Sequence, residues 1–210
     1  MAQKATAGLR ERQKQQRRDA IMESARLLFE RQGIEDCSMA TIAAEAGVST
    51  PTVFNYFGSR DELLLAIILQ GHQNAIADYR SQPRKFTSLA DDVCELLTGF
   101  TTRSLEIFSK RVWRYADSTA IRYPESEFVQ RYGQIDITLT KIIEDLLVAR
   151  ASRTRRGDGF AAGTLASVIY NHWNCHCIAY IKDEQMTIEE HLSTLLAQIR
   201  HLLDLIFAED

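Results

Sequence analysis

Two stretches of the chain carry side chains that could do chemistry. Residues 48–63, VSTPTVFNYFGSRDEL, group the short hydroxyls of Ser49, Thr50 and Thr52 around Pro51, then give Phe54, Asn55, Tyr56, Phe57 and finally Arg60. Hydroxyls and carboxamides can donate to or accept from base edges, a threonine methyl can touch a thymine methyl, and arginine pairs with phosphate. Residues 170–177, YNHWNCHC, set His172, Cys175, His176 and Cys177 among Tyr170, Trp173 and Asn174. His172 and His176, at i and i+4, could share a face as metal ligands do. Cys175 and Cys177, however, diverge by about 200° around a helix, so four ligands do not converge from this segment. Small thiols packed in a helix are the simpler reading, and neither metal nor cofactor is expected. With no nucleophile elbow, phosphate loop, HExxH or paired-carboxylate motif, the chain is not expected to be an enzyme.

At 210 residues, 45% hydrophobic and 25% charged, the chain has the balance of a soluble globular protein able to bury a sizeable core. No run of about 18 apolar residues occurs, and the polar, basic N-terminus lacks the apolar stretch of a signal peptide. Four scattered cysteines (Cys37, Cys94, Cys175 and Cys177) make no disulfide framework, so a cytoplasmic protein without membrane contact is expected. The net charge of −3 is uneven. Lys4, Arg10, Arg12, Lys14, Arg17 and Arg18 face only Glu11 within residues 1–18, a local +5 that leaves −8 on the rest. A basic arm for a polyanion, or a merely solvated tail, would both look like this.

The elements that must position these groups are helical nearly throughout. Apolar residues recur with helical spacing and no period-2 strand is evident. Ile21, Ala25, Leu28 and Phe29 mark a first helix from Arg17, stopped by Gly33; Ser38 caps a second over 39–46; the opening stretch supplies a third. A fourth runs from Ser59 to about Gln82. Longer helices are predicted over 86–104, 106–123, 125–150, 160–182 and 187–208, with a basic glycine-bearing loop at 151–159.

Two short helices joined by a tight turn, the second with a polar start, make a helix-turn-helix pattern. Pro51 is tolerated in a first helical turn, Val53 and Phe57 share the buried face, and Thr50 and Thr52 occupy the exposed turn that meets base edges. Residues 17–65, with AIMESARLLFERQGIEDCSMATIAAEAGVSTPTVFNYFGSRDELLLAI, resemble the DNA-binding domain of the TetR family of bacterial transcriptional repressors. The resemblance implies an all-α protein: a three-helix DNA-binding domain at 17–60 behind an arm at 1–16, and a larger bundle at 61–210 for ligand binding and dimerisation. It implies a homodimer that reads a palindromic double-stranded operator and releases it when a small molecule binds. It places Thr50, Pro51 and Thr52 at base edges, and Thr41, Asn55, Tyr56 and Arg60 at phosphates; Ser49, whose short polar side chain is expected to face outward beside them, is a further DNA-binding candidate. Phe54 stands where tyrosine is common, Cys37 where threonine is frequent, and Met39 is poorly suited to phosphate.

The body offers rings for an apolar effector. Phe100, Phe108, Trp113, Phe128, Tyr132, Tyr170, Trp173, Asn174 and Cys177 are the candidate ligand-binding residues, although rings in a helical bundle are more often core. Arg103, Lys110, Arg111 and Arg114 could meet an anionic ligand or form a solvated face. The last two helices, 160–182 and 187–208, carry apolar residues on more than one face, as a helix pair does when it packs on its own body and on a twin. A helical module that uses its helix-turn-helix on another protein is the alternative.

Overall fold

The computed structural model describes residues 2–81, 88–150 and 154–207, with side chains described from Arg10 onward. Among the described residues every regular element is an α-helix. Helices α1 (Ala2–Gln32), α2 (Met39–Glu45), α3 (Thr50–Phe57) and α4 (Arg60–Ser81) come first. The body follows as α5 (Leu89–Ile107), α6 (Lys110–Arg122), α7 (Glu127–Arg150), α8 (Ala162–Lys182) and α9 (Ile188–Ile206).

Local chemistry sets the helix ends. Ser38 and Ser88 accept the Thr41 and Asp91 amides, while Thr187 and Glu190 satisfy each other's backbone N–H at the start of α9. Gly33 closes α1 at φ 88° and Gly58 closes α3 at φ 68°, backbone states that side-chain-bearing residues rarely adopt.

Two boundaries differ from the sequence expectation. Residues 2–16, expected as an arm, continue α1; that stretch is rich in Ala, Gln, Arg and Lys and contains no proline, so nothing in it stops a helix. The break between α5 and α6 falls at Phe108 and Ser109 rather than near Ser104. Phe108, 1% exposed, adopts an extended backbone there and turns its ring into the core. The helix start expected at 86 and residues 151–153 of the expected loop lie outside the described residues. The rest of that loop is tied to the end of α9, where Arg155 donates through N to Ile206 O and through Nε to Phe207 O, both at 2.8 Å.

Two apolar cores result. The first gathers Ile21, Ala25, Leu28 and Phe29 of α1, Ile42 and Ala43 of α2, Val53 and Phe57 of α3, and the unbroken run Leu63–Ile68 of α4. Six consecutive buried positions mean that the start of α4 is enclosed on all sides. This core crosses into the body through Phe108, Val112, Trp113 and Ala116. The second unites α5, α7, α8 and α9 around residues such as Leu97, Leu139, Ile143, Leu146, Ile169, Leu195 and Ile199. Each such side chain stabilises the fold by roughly 1.5–3 kcal/mol. Helix α6 thus belongs to the core of the helix-turn-helix while also flanking the bundle.

Candidate nucleic-acid interface and effector cavity

Val53 and Phe57 lock α3 inward, 0% and 5% exposed. The opposite face presents Ser49, Pro51 and Asn55 to solvent, with Thr50 and Thr52 half-buried beside them. The Ser49 and Thr52 hydroxyls lie 2.8 Å apart across the first turn, and Ser38 and Thr41 repeat the pairing at 2.8 Å in α2. Each pair retains acceptor lone pairs for a further donor. Phe54 is 49% exposed.

Two of the expected phosphate contacts have internal partners. The Tyr56 hydroxyl donates to Lys14 O at 3.3 Å, and Arg18 sits 5.3 Å from the centre of the Phe57 ring, so α3 is braced against α1. Arg60 Nη1 donates to Glu35 O at 2.9 Å and Cys37 O at 3.1 Å, which fixes the connection between α1 and α2. Cys37 is buried and desolvation raises its thiol pKa, so it is a packing residue. Arg10, Arg12, Lys14 and Arg17 all lie exposed on α1 beyond its first core residue, Ile21.

In the body a cavity of about 90 Å³ opens between α4, α5, α6, α7 and α8. Of the sequence candidates it brings together Trp113, Tyr132, Tyr170, Trp173, Asn174 and Cys177. Phe100, Phe108 and Phe128 lie away from its lining for packing reasons. Phe100 packs in the second core with Tyr79 at 6.4 Å, Phe108 wedges between Phe29 and Trp113, and Phe128 stacks on Tyr132 from behind at 5.5 Å.

Four rings in the wall are anchored by hydrogen bonds. Tyr132 donates to Asp117 Oδ1 at 3.0 Å and Tyr170 to Asp136 Oδ1 at 2.6 Å. Trp173 Nε1 donates to Thr101 Oγ1 at 2.9 Å, and Trp113 Nε1 to Ser104 O at 3.0 Å. Burial raises the pKa of both carboxyls, and Asp136 adds repulsion to Asp117. Asp136 nonetheless keeps an exposed side, which puts it at the rim. Desolvation also raises the Tyr132 and Tyr170 hydroxyls and pushes the Cys177 thiol up to about 12. His72, edge-on to Trp113 at 6.1 Å, is lowered to about 4 by burial and is therefore neutral at pH 7. The sequence reading missed Asp117, Asp136, Thr101 and His72. A signal for the first two did exist: they follow Trp113 and Tyr132 by four residues and so share their helical faces.

The basic residues at the start of α6 hold helix ends. Arg111 Nη2 donates to the carbonyls of Phe29, at 3.3 Å, and Glu30, in the last turn of α1. Ser109 N donates to Glu30 Oε1 at 2.7 Å. Arg114 Nη1 donates to Ile181 O at 2.6 Å with its other arm on Glu184, and Lys110 Nζ reaches Asp183 O and Met186 O, both at 2.7 Å. Cations are favoured at helix C-termini by the orphan carbonyls and the dipole. Arg103 instead pairs with Asp78 and Glu106. None of these four basic residues lines the cavity.

On α8 the His172 and His176 rings approach to 4.6 Å, and Cys175 points outward. The described residues contain no group of three or more His, Cys, Asp or Glu placed to hold a metal ion. Among them, no helix is long and apolar enough to cross a membrane.

Comparison with known proteins agrees with this architecture. Residues 21–67 match the model of the family "Bacterial regulatory proteins, tetR family". The HTH-type transcriptional regulator UidR of Escherichia coli (strain K12) is 31% identical over 84 residues, which span 40% of this chain and 42% of that regulator. A putative TetR-family transcriptional regulator from Rhodococcus sp. superposes with a TM-score of 0.67 at 22% identity, covering 89% of this chain and 98% of the other. RolR, solved in complex with resorcinol, superposes at 0.60 with 17% identity over 92% of this chain and 90% of its own. With α2 and α3 forming the turn, and with the fold of the body shared, this chain carries the helix-turn-helix domain of the TetR family of bacterial transcriptional regulators.

Proposed function

We propose that the chain is a ligand-gated regulator, a repressor, which binds a palindromic duplex operator as a homodimer and leaves it when a small molecule fills the cavity. One observation carries the gating: α6 contributes Trp113 and Asp117 to the cavity wall while its first turn grips the last turn of α1 through Ser109 and Arg111. A ligand that prefers one setting of α6 thereby biases the setting of the helix-turn-helix, by no more than its differential affinity for the two. Helix α4, continuous from the first core to the cavity at His72, offers a second covalent route.

Ser49, Thr50, Pro51 and Thr52 would meet base edges, and Thr41 and Asn55 phosphates. The exposed basic half of α1 adds backbone charge. Tyr56 and Arg60 act mainly by bracing α3 and the α1–α2 connection. The outward residues Val168 of α8 and Leu205 of α9, 49% and 64% exposed, support a twin seated on these two helices. A neighbour of the same fold holding resorcinol supports a small aromatic effector.

The test is duplex binding across a salt series with DNA from the flanking genome, together with the mass of the free protein in solution. A dimer with log-linear salt dependence and preference for a palindrome is expected. A monomer indifferent to duplex DNA would overturn the reading.

A further inference from the structure

The chemistry of the wall narrows the effector, on the reading that this cavity is the effector site. Five rings (Trp113, Tyr132, Tyr170, Trp173 and Tyr180) surround it, and among the described residues its only charged side chains are Asp117 and Asp136. Among the described residues no lysine or arginine lines it. Two cations lie near it without lining it. Lys110 lies 3.8 Å from the centre of the Tyr180 ring but is bound to the Asp183 and Met186 carbonyls, and Lys182 reaches Asp117 only through space. His72 brings no charge at neutral pH.

Among the described residues each carboxylate accepts one side-chain hydrogen bond, from Tyr132 or Tyr170, although an ionised carboxylate has room for about four. Two partly desolvated carboxylates with no ion-pair partner among the described residues are electrostatically costly. An entering cation relieves that cost and also gains from the ring faces, whereas an entering anion adds to it.

We propose that the cavity takes a compact organic ammonium, seated against the aromatic rings with its charge shared by Asp117 and Asp136. A volume of about 90 Å³, open at the Asp136 rim, suits a compact ligand. The carboxylates then act as the charge-selecting groups and the rings as a largely charge-tolerant wall.

Three probes of one skeleton test this: 2-phenylethylammonium, 2-phenylethanol and phenylacetate. Trp113 and Trp173 are the two tryptophans of the chain and both line the cavity, so intrinsic fluorescence reports each titration directly. The ammonium is expected to bind at least tenfold more tightly than the alcohol, with no saturable response to phenylacetate. Asp117→Asn and Asp136→Asn should each weaken the ammonium at least fivefold and leave the alcohol within twofold. Should D117N fail to fold, D136N, altered at an exposed rim position, carries the test. Equal affinity for ammonium and alcohol, tighter binding of the anion, no binding of any probe, or Asn variants that keep full ammonium affinity would each overturn the proposal. The titrations use protein without DNA, so the two readings fail separately. An ammonium that binds but leaves operator affinity unchanged refutes gating alone; an alcohol that binds better and releases DNA refutes the charge assignment alone.

Discussion

His72 offers a quantitative check on how dry the junction between cavity and core is. The residue is 7% exposed on α4, and burial lowers its pKa from 6.5 to about 4. In the unfolded chain it titrates near 6.5, so between pH 6.5 and 4 the unfolded state binds more protons than the folded one. Stability therefore rises with pH across that window and falls on acidification. The full shift corresponds to about 3.4 kcal/mol, of which about 2 kcal/mol is lost between pH 7 and pH 5. His191, also lowered to about 4, acts in the same direction, while Asp117 and Asp136, raised by burial, act in the opposite one. His72→Gln isolates the one residue: the other groups titrate in both proteins and cancel in the difference. Urea unfolding at pH 7, 6 and 5, at fixed protein concentration, should show the wild type losing about 2 kcal/mol more than H72Q over this range. Parallel losses in the two proteins, or an imidazole that titrates near 6.5 in the folded state, would refute the burial argument.

Other consequences follow from the same geometry. Glu30→Ala removes the acceptor for Ser109 N; stability should fall by about 1 kcal/mol, and effector binding should lose part of its influence on operator affinity, measured by anisotropy with and without ligand. An unchanged influence would exclude the α1–α6 contact from the route. Gly58→Ala puts a Cβ 2.4 Å from Glu62 Oε2 at a φ of 68°, so a loss of about 1–3 kcal/mol in urea unfolding is expected, with helix α3 frayed and DNA binding weakened. Thr52→Ala should relax sequence preference in competition binding, whereas Arg60→Ala, which frees the Glu35 and Cys37 carbonyls, should lower stability by about 1.5–3 kcal/mol and weaken all sequences alike. Equal loss of specificity in both variants would refute that division.

Much of the fold was legible because helices are local. The spacing of Ile21, Ala25, Leu28 and Phe29, the cap at Ser38 and the stop at Gly33 depend on residues within a few positions of one another. The helix-turn-helix was legible for the same reason, since α2, the turn and α3 fit within nineteen consecutive residues, 39–57. The length of α1 was misjudged on charge: a basic stretch suggested an arm, but its residues are good helix formers and nothing interrupts them.

The cavity was only half legible. The candidates Tyr170, Trp173, Asn174 and Cys177 recur at helical spacing along α8, and the structure turns them to the cavity. It could not tell that the Phe128 ring packs behind Tyr132, or that Phe108 leaves its helix to fill the space between Phe29 and Trp113. The α6 cations read as ligand binders or solvated charges because the carbonyls they hold, on α1 and α8, are about seventy to eighty residues away in sequence. The sequence by itself thus determined the helices, the turn and the presented hydroxyls, all products of local spacing. Tertiary packing alone decided which rings face a void, which carboxylates join them and what α6 grips, because a helical period says which residues share a face but not which partner that face meets.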